Sequence, residues 1–397
     1  MKNRLTLIAI FSLTILVTAC GGGDSQSSDN GQTPTPPTTP TVPTVPTTPT
    51  SLCVNTTGQV NWSALMAEDC PELSQYGLFI DPANPTAQPQ APGFGYQLAT
   101  QLFSNYASKY RFIYLPAGSS MQYQAQEAFE FPTGAVLVKT FALPQDTAIT
   151  GIANETLIET RLLIKRSQGW TSLVYQWQQG EAKLLTAGAS VHHTLINQGQ
   201  SQSFDYNIPS RAECKICHQI NQDNTSQIIP IGLKAHLLNR DIIDQGQSVN
   251  QLSLWAKQGK LELLPELSQV AKTYAIDNLQ ADLTSRAKGY LDVNCAHCHS
   301  AKGYASISGL RLGFYIDHTS YQYGICKQPP GWDGGAKGLD YDIVPGNADH
   351  SILLYRQTLS EPKDRMPPIG RNLEHQEGVE LIRLWIDSLA PSLGNCT

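Results

Sequence analysis

Charged residues are scarce in this 397-residue sequence. Asp, Glu, Lys and Arg together make up 15 % of it, against about 25 % in an ordinary soluble domain. Basic residues are also in the minority, since Lys+Arg 27 and Asp+Glu 33 give a formal net charge of −6. A protein that binds nucleic acid through its phosphates needs a basic field. The composition therefore argues against nucleic acid as a partner.

A long hydrophobic run is missing from the N-terminus. Residues 5–17 are mostly apolar but span only thirteen residues, whereas a bilayer-spanning helix needs ~20. Lys2 and Arg4 precede this run, and small residues lead into Cys20 and three glycines. This pattern predicts an export signal over residues 1–19 and resembles the bacterial lipobox, in which the cysteine becomes the lipid-carrying N-terminus. Gly21 rather than Asp after Cys20 favours the outer membrane by resemblance to known sorting rules.

Residues 20–51 form a Gly/Ser-rich and then Thr/Pro-rich stretch. Proline at every second or third position prevents helix formation and strand pairing, so extended polyproline II is expected. We interpret this stretch as a linker that holds the folded part away from a membrane. The 31 Gly and 25 Pro of the whole sequence also make long uniform helices unlikely to form.

Methionine is rare, with four residues, but cysteine and histidine each occur nine times. Two C-x-x-C-H pentapeptides, at residues 214–218 and 295–299, contain much of this total. One helical turn in such a motif places both thiols under the vinyl groups of a haem, and the following imidazole lies beneath the iron. The sequence therefore predicts two covalently attached haem c groups, held by Cys214, Cys217, His218, Cys295, Cys298 and His299.

Two other interpretations of the pentapeptides are weaker. A structural zinc site with four cysteine ligands usually has its pairs ~15–20 residues apart, whereas these motifs are 81 residues apart. A thioredoxin-like redox pair explains neither the histidines nor the repetition. We interpret His297, between the cysteines of the second motif, as pointing outward.

The second motif has a candidate sixth iron ligand. Residues 284–299 have the pattern of a helix that ends in the cysteine pair, and residues 378–389 have an amphipathic helical pattern. Two such helices crossing at a haem resemble the class I c-type cytochrome fold. Met366, followed by two prolines, resembles the distal-ligand loop of those cytochromes, and His/Met ligation is typical of electron carriers.

The first motif lacks an obvious sixth ligand, because no methionine lies between His218 and Met366. His236 is the nearest candidate, so the first haem is either bis-His or open. We interpret the remaining downstream histidines as loop or surface residues: His318, His350 and His375.

Short runs rich in β-branched and aromatic residues precede the motifs, at 111–115, 135–143, 157–165 and 172–178. They predict antiparallel strands. The expected fold class is an N-terminal antiparallel β-rich domain followed by mainly α cytochrome c-like haem domains. The expected divisions are a β-rich domain at 52–208, a first haem c region at 209–283 and a C-terminal cytochrome c domain at 284–397.

Residues from about 70 to 397 resemble an uncharacterised family of exported diheme c-type cytochromes with an N-terminal β domain. The stretches that carry the resemblance are 76–79, 98–106, 159–162, 209–214, 238–241, 290–295 and 344–347. The resemblance implies haem binding and electron transfer, without a known substrate.

Four cysteines remain outside the motifs: Cys53, Cys70, Cys326 and Cys396. In an oxidising compartment an even remainder suggests two disulfides, with three possible connectivities. Proximity in the sequence favours Cys53–Cys70, which leaves Cys326–Cys396.

The expected function is that of a membrane-anchored diheme c-type cytochrome that passes electrons between redox partners in the bacterial cell envelope. The lipid on Cys20 anchors it, and the outer membrane, facing the periplasm, is the expected place. The alternative is a haem enzyme or small-ligand sensor, either peroxidase-like or similar to the β-sheet cytochromes with a cross-linked haem. In that case the first haem is open and the second is an electron relay, but the sequence assigns no catalytic residue.

Overall fold

The computed structural model describes residues 51–222, 225–332 and 335–397. The predicted signal peptide, Cys20 and the linker up to residue 50 lie outside the described residues. Residues 50–397 cluster as one compact unit. The predicted divisions after residues 208 and 283 fall inside that unit and stay predictions.

Most of the regular structure is β-strand. Strand-forming residues alternate with turn residues throughout the N-terminal half, as the sequence pattern predicts. The described residues form fourteen strands, namely β1 Phe94–Gly95, β2 Ser108–Tyr114, β3 Met121–Gln122, β4 Val136–Pro144, β5 Glu155–Arg166, β6 Gly169–Gln178, β7 Glu181–Leu185, β8 Ala189–Asn197, β9 Gln200–Ile208, β10 Gln219–Gln222, β11 Thr225–Ile228, β12 Asp241–Asp244, β13 Gln247–Asn250 and β14 Leu261–Glu262.

One antiparallel sheet of six strands forms the centre, in the order β1-β2-β4-β5-β6-β7. Strand β4 is buried along nearly its whole length, which explains why its sequence is apolar on both sides of Lys139 and Thr140 rather than alternating. The remaining strands pair as β8–β9, β10–β11, β12–β13 and the short parallel pair β3–β14. The predicted antiparallel β-rich N-terminal region is therefore confirmed.

The two faces of the central sheet are covered by different parts of the chain. Phe112, Val138 and Leu162 lie opposite one another in register and pack on the N-terminal segment that contains Cys53 and Cys70. Ile113 and Leu137 lie on the other face and pack on residues from the C-terminal half. The sheet is thus the wall against which the two cysteine motifs fold.

Helices are few and short. The described residues form seven α-helices, namely α1 Trp62–Ala67, α2 Arg211–His218, α3 Ala235–Leu238, α4 Gln251–Lys257, α5 Leu283–Leu291, α6 Ile352–Thr358 and α7 Gln376–Ser388. Helix accounts for only 24 % of the structure. The expectation of mainly α cytochrome c-like domains after residue 208 is therefore wrong.

The physical reason lies in the connections between the helices. The predicted helix 284–299 ends as α-helix at Leu291 and continues as a π-helical turn over Asp292–Ala296. Two β-hairpins occupy the region that was expected to be helical around the first motif. Glycine and proline, which disfavour helix interiors, break the chain between α5 and α7 into short 3₁₀ turns.

The same finding overturns the resemblance to the exported diheme c-type cytochrome family, whose C-terminal part was expected to resemble class I cytochrome c. Helices α5 and α7 do pack on each other, and Trp385 is fully buried in their shared core. Two packed helices within a β-rich, multi-sheet fold do not make the mainly α haem domain that this family implies.

Both expected disulfides are present. Cys53 is bonded to Cys70 and Cys326 to Cys396, with S–S distances of 2.02 and 2.09 Å. The Cys53–Cys70 disulfide cross-links the N-terminal segment that covers one face of the sheet. The Cys326–Cys396 disulfide joins a loop after the second motif to the C-terminus. Across residues 51–222, 225–332 and 335–397, no helix is long and apolar enough to cross a bilayer.

Candidate functional site

The two C-x-x-C-H motifs meet in space. The first lies on α2, which begins at Arg211 because Ser210 and Glu213 form a capping box there. The second follows α5, at the end of the π-helical turn. The Sγ atoms of Cys217 and Cys298 and a ring nitrogen of His297 all lie within 4.8 Å of one another. Motifs that are 81 residues apart in the sequence thus form one site.

His297 was expected to point outward, and this expectation is wrong. Its ring lies with Cys217 and Cys298, and its buried Nδ1 has no hydrogen-bond partner among the described residues. The imidazole therefore belongs to the contact between the two motifs.

All four motif cysteines are free thiols in the structure. A hydrogen bond from the Cys298 thiol holds the pKa of Cys217 well below its usual range, and the same bond raises the pKa of Cys298. Burial raises the pKa of Cys214, and it raises that of Cys295 to about 12. The second cysteines of the two motifs are thus electrostatically linked, whereas the first cysteines are separately buried.

Each motif histidine has one ring nitrogen fixed by the protein. His218 Nδ1 donates to the Ile229 carbonyl oxygen at 2.7 Å. His299 Nδ1 lies 3.1 Å from Ser308 Oγ, whose own proton goes to the Ala305 carbonyl. In both rings this leaves Nε2 for a metal, which is the arrangement found in metal-ligating histidines. Burial lowers the pKa of both rings to about 4, so both are neutral and able to bind a metal at neutral pH.

A largely apolar cleft adjoins the second motif. Its cavity volume is about 140 Å³, and Cys295, Cys298, His299 and Met366 all line it. Apolar side chains supply much of its remaining wall, including Leu310, Leu312, Pro330, Ile352 and Val379. The structure therefore brings the predicted sixth ligand Met366 to the same cleft as His299.

The backbone of Met366 is held on both sides. Its N–H donates to the Arg356 carbonyl at 2.8 Å, and its carbonyl accepts from Arg371 Nε at 3.1 Å. Arg371 is buried and also donates to the carbonyl oxygens of Arg356 and Leu359. One guanidinium thus fixes the loop that carries Met366, and no local pattern in the sequence indicates this role.

His375 also lines this cleft, together with Cys217 of the first motif. It was interpreted as a loop or surface residue, but its side chain is only 15 % exposed. The ring stacks on Phe103 with centroids 4.2 Å apart, and Nδ1 lies 3.1 Å from the Tyr290 hydroxyl. Its burial depends on packing between distant segments, which a single-sequence pattern does not reveal.

Four basic side chains lie on the face of the central sheet that the first motif covers: Lys109, Arg111, Lys139 and Arg161. Burial and the neighbouring Arg111 hold the pKa of Lys109 well below its usual range. Glu159 pairs with Arg161 at 2.8 Å. Burial and the neighbouring guanidinium groups lower the pKa of Lys139 to about 7, and Cys217 raises it slightly. Arg111 Nε is buried without a hydrogen-bond partner among the described residues. This cationic cluster suits the carboxylates of a bound anion.

His236, the candidate sixth ligand of the first haem, is completely buried on α3. It stacks on Phe314 with centroids 4.4 Å apart, and Nε2 lies 3.4 Å from Asp292 Oδ1, outside hydrogen-bond geometry. Lys234 donates to the same carboxylate at 2.9 Å. The contacts of His236 within the described chain are thus with residues near the second motif, and His236 is not brought to His218.

The other histidines lie away from the motifs. His192 pairs with Asp205 on an exposed hairpin, and His193 contacts the Pro144 carbonyl. His318 packs against Trp385, and His350 is exposed beside Asn347.

Comparison of the chain with protein-family models, with curated proteins and with solved structures found no match. What the site can bind therefore follows from the side chains that it contains. Two pairs of free thiols, two neutral imidazoles with Nε2 available, a thioether on an apolar cleft and a cluster of cations fit haem, which has two vinyl groups, an iron and two carboxylates.

Proposed function

We propose that this chain carries two covalently attached haem c groups and transfers single electrons between protein partners in the cell envelope. The observation that carries the proposal is the form of the two motifs. Each combines two free thiols with a buried neutral histidine whose Nδ1 is already bonded to the protein. A structural zinc site does not need the histidine after the second cysteine in both motifs.

Attachment requires thiols and no oxidant. The S–H of each cysteine adds across a haem vinyl group, so that sulfur bonds to one vinyl carbon and the proton goes to the other. Cys214 and Cys217 hold one group, and Cys295 and Cys298 hold the other. When bound, the haem iron supplies reversible one-electron redox chemistry.

His299 and Met366 are the axial ligand pair that we propose for the second site. Both line one cleft, and the Met366 backbone is fixed through Arg356 and Arg371. The wall of the cleft is largely apolar, and a methionine ligand would raise the potential. A closed six-coordinate site favours electron transfer over substrate turnover.

The proposed location follows from the N-terminal sequence. A lipid on Cys20 and the Thr/Pro-rich linker would tether the folded part to a bacterial membrane, most consistently the outer membrane on its periplasmic side. The partners are then envelope redox proteins that give or accept one electron at a time. No residue is assigned to catalysis.

A cysteine-pair experiment tests the proposal. The full chain is expressed with an exported haem-attachment system, alongside the C214S/C217S and C295S/C298S variants. We expect two haems per chain in the parent and one in each variant, measured by absorption and by the mass of the denatured protein. The C53S/C70S variant is the control, since it loses two cysteines and keeps both haems. Equal haem content in all four proteins, or none in any, contradicts the proposal.

A second candidate is a haem enzyme or small-ligand sensor with an open first haem. It is favoured by the position of His236, which contacts Asp292 and Phe314 rather than His218. Cyanide added to the oxidised C295S/C298S variant distinguishes the two. A shift to a cyanide-bound low-spin spectrum supports the open site, and an unchanged spectrum supports a pure carrier.

A further inference from the structure

Cys217 and Cys298 lie close together, so cofactors bound to them would also lie close together. Each is the second cysteine of its motif, and the two sulfur atoms lie within 4.8 Å. Cys298 Sγ also lies 3.6 Å from the carbonyl oxygen of Ile216, the residue before Cys217. The two attachment segments are therefore packed directly on each other, with only the His297 ring at their contact.

A thioether sulfur is one bond from the former vinyl carbon, and that carbon is bonded to the porphyrin ring. If one ring is bound at Cys217 and another at Cys298, the ring edges that face this contact are separated by the sulfur–carbon bonds that attach them. The first cysteines point into different surroundings, Cys214 into the core beside the central sheet and Cys295 towards the core around α5 and α7. Groups held by the two motifs would therefore meet at Cys217 and Cys298, while Cys214 and Cys295 would hold their other sides in different parts of the core.

We propose that the two motifs hold the haems edge to edge through Cys217 and Cys298, so that the chain works as one coupled two-electron unit. This inference rests on the proposed function. In the internal step the ferrous iron of one site gives one electron to the ferric iron of the other, and no proton or further reagent is needed. A one-electron donor protein refills the first site, and a one-electron acceptor protein empties the second.

Charge supports this arrangement. A change of charge at one iron would alter the potential at the other, because Cys217, His297 and Cys298 at the shared edge are half-buried and the two groups would lie close together. Reduction of the first site therefore makes reduction of the second harder, and the two midpoint potentials separate. Two haems on opposite sides of the molecule would not show this dependence.

The test is a redox titration of the full-length, haem-loaded protein followed by low-temperature EPR. One haem stays ferric to a lower potential than the other. We expect its EPR signal to be broad while the other haem is oxidised, and to become sharp once the other haem has been reduced. The H192Q variant is the control, because His192 lies on an exposed hairpin, and it is expected to behave as the parent. This measurement needs no variant that removes a motif.

The C295S/C298S variant gives a second readout. Its remaining haem is expected to show the sharp signal at every potential at which it is oxidised, and a shifted midpoint potential. Two haems with signals that add independently overturn the edge-to-edge arrangement but leave the proposed function intact. A chain without haem, or with zinc bound by Cys217, His297 and Cys298, overturns both.

Discussion

Arg371 and Met366 are joined by a hydrogen bond of 3.1 Å from the guanidinium Nε to the methionine carbonyl. The other nitrogens of Arg371 donate to the carbonyl oxygens of Arg356, Leu359 and Leu373. Arg371 is only 4 % exposed, so its guanidinium lies inside the loop and holds the loop conformation through these hydrogen bonds. Arg371 also lines the cleft, and the position of the predicted iron ligand depends on its hydrogen bonds.

Replacing Arg371 with leucine is expected to destabilise the protein by about 3 kcal/mol, because buried carbonyl oxygens lose their donor. In the haem-loaded protein the long-wavelength absorption band of a Met–iron bond should weaken as well. Urea unfolding and absorption spectroscopy measure the two effects. R371K is the conservative variant and should restore part of both, whereas a full band in R371L would show that the loop is held without Arg371.

Met366→Leu keeps the volume of the side chain and removes its sulfur. We expect the Met–iron band to disappear, the potential of the second haem to fall and cyanide to bind there, since methionine ligation raises the potential. The matched control is Met121→Leu, because Met121 is a fully buried methionine in a separate core cluster. An M366L protein with the spectrum of the parent would remove Met366 from the ligand set.

Asp292 is buried between Lys234 and His236. Although burial raises its pKa, the Lys234 charge and His236 together hold the pKa below its usual range. Asp292→Asn is expected to cost about 3–5 kcal/mol at neutral pH, because it leaves Lys234 unpaired in a mostly buried position. D349N is the control, since Asp349 forms an exposed pair with Arg383, and it should change stability by less than about 1 kcal/mol.

The same pair predicts a pH dependence. The pKa of Asp292 in the folded state lies below its unfolded value of about 3.9, so its contribution to stability is fully present above that value. The contribution is lost as the pH falls through the folded-state pKa. Unfolding free energies measured from pH 7 down to pH 3 should therefore fall less steeply in D292N than in the parent. Parallel curves would contradict the ion-pair account.

The two disulfides are expected to differ in strength. Cys326–Cys396 spans 70 residues and Cys53–Cys70 spans 17. Loop-closure entropy assigns the longer loop about 1 kcal/mol more stabilisation of the folded state. Thermal unfolding of C326A/C396A and C53A/C70A measures the difference. A larger loss of stability in C53A/C70A would mean that local packing, rather than chain entropy, determines how much each disulfide stabilises the protein.

Local patterns in the sequence were sufficient for the long strands β2, β4, β5 and β6, but not for the two hairpins that follow the first motif. The central run at 135–143 corresponds to β4 at Val136–Pro144, and the amphipathic run at 378–389 corresponds to α7 at Gln376–Ser388. The helix expected over 284–299 was wrong beyond Leu291. There Asn294 accepts a hydrogen bond from the backbone N–H of Phe103 at 2.8 Å, and the chain bends into a π-helical turn to satisfy contacts made by tertiary structure.

The site was predictable residue by residue but not as an arrangement. C-x-x-C-H spacing identifies Cys214 and Cys295 because covalent haem attachment has fixed local geometry. The contact of Cys217 with Cys298 depends on how α2 docks beside the turn after α5, and no local pattern reports this. The position of His297 was wrong for the same reason. His375 does lie in the loop before α7, as expected, but its burial comes from segments far away in the sequence.

The mass of the denatured full-length protein, purified from cells that attach haem, tests the central claim most directly. Covalent haem stays on the chain after denaturation, so the account predicts the mature polypeptide mass increased by two haems. A mass that corresponds to the polypeptide alone, with free thiols at Cys214, Cys217, Cys295 and Cys298, would contradict it.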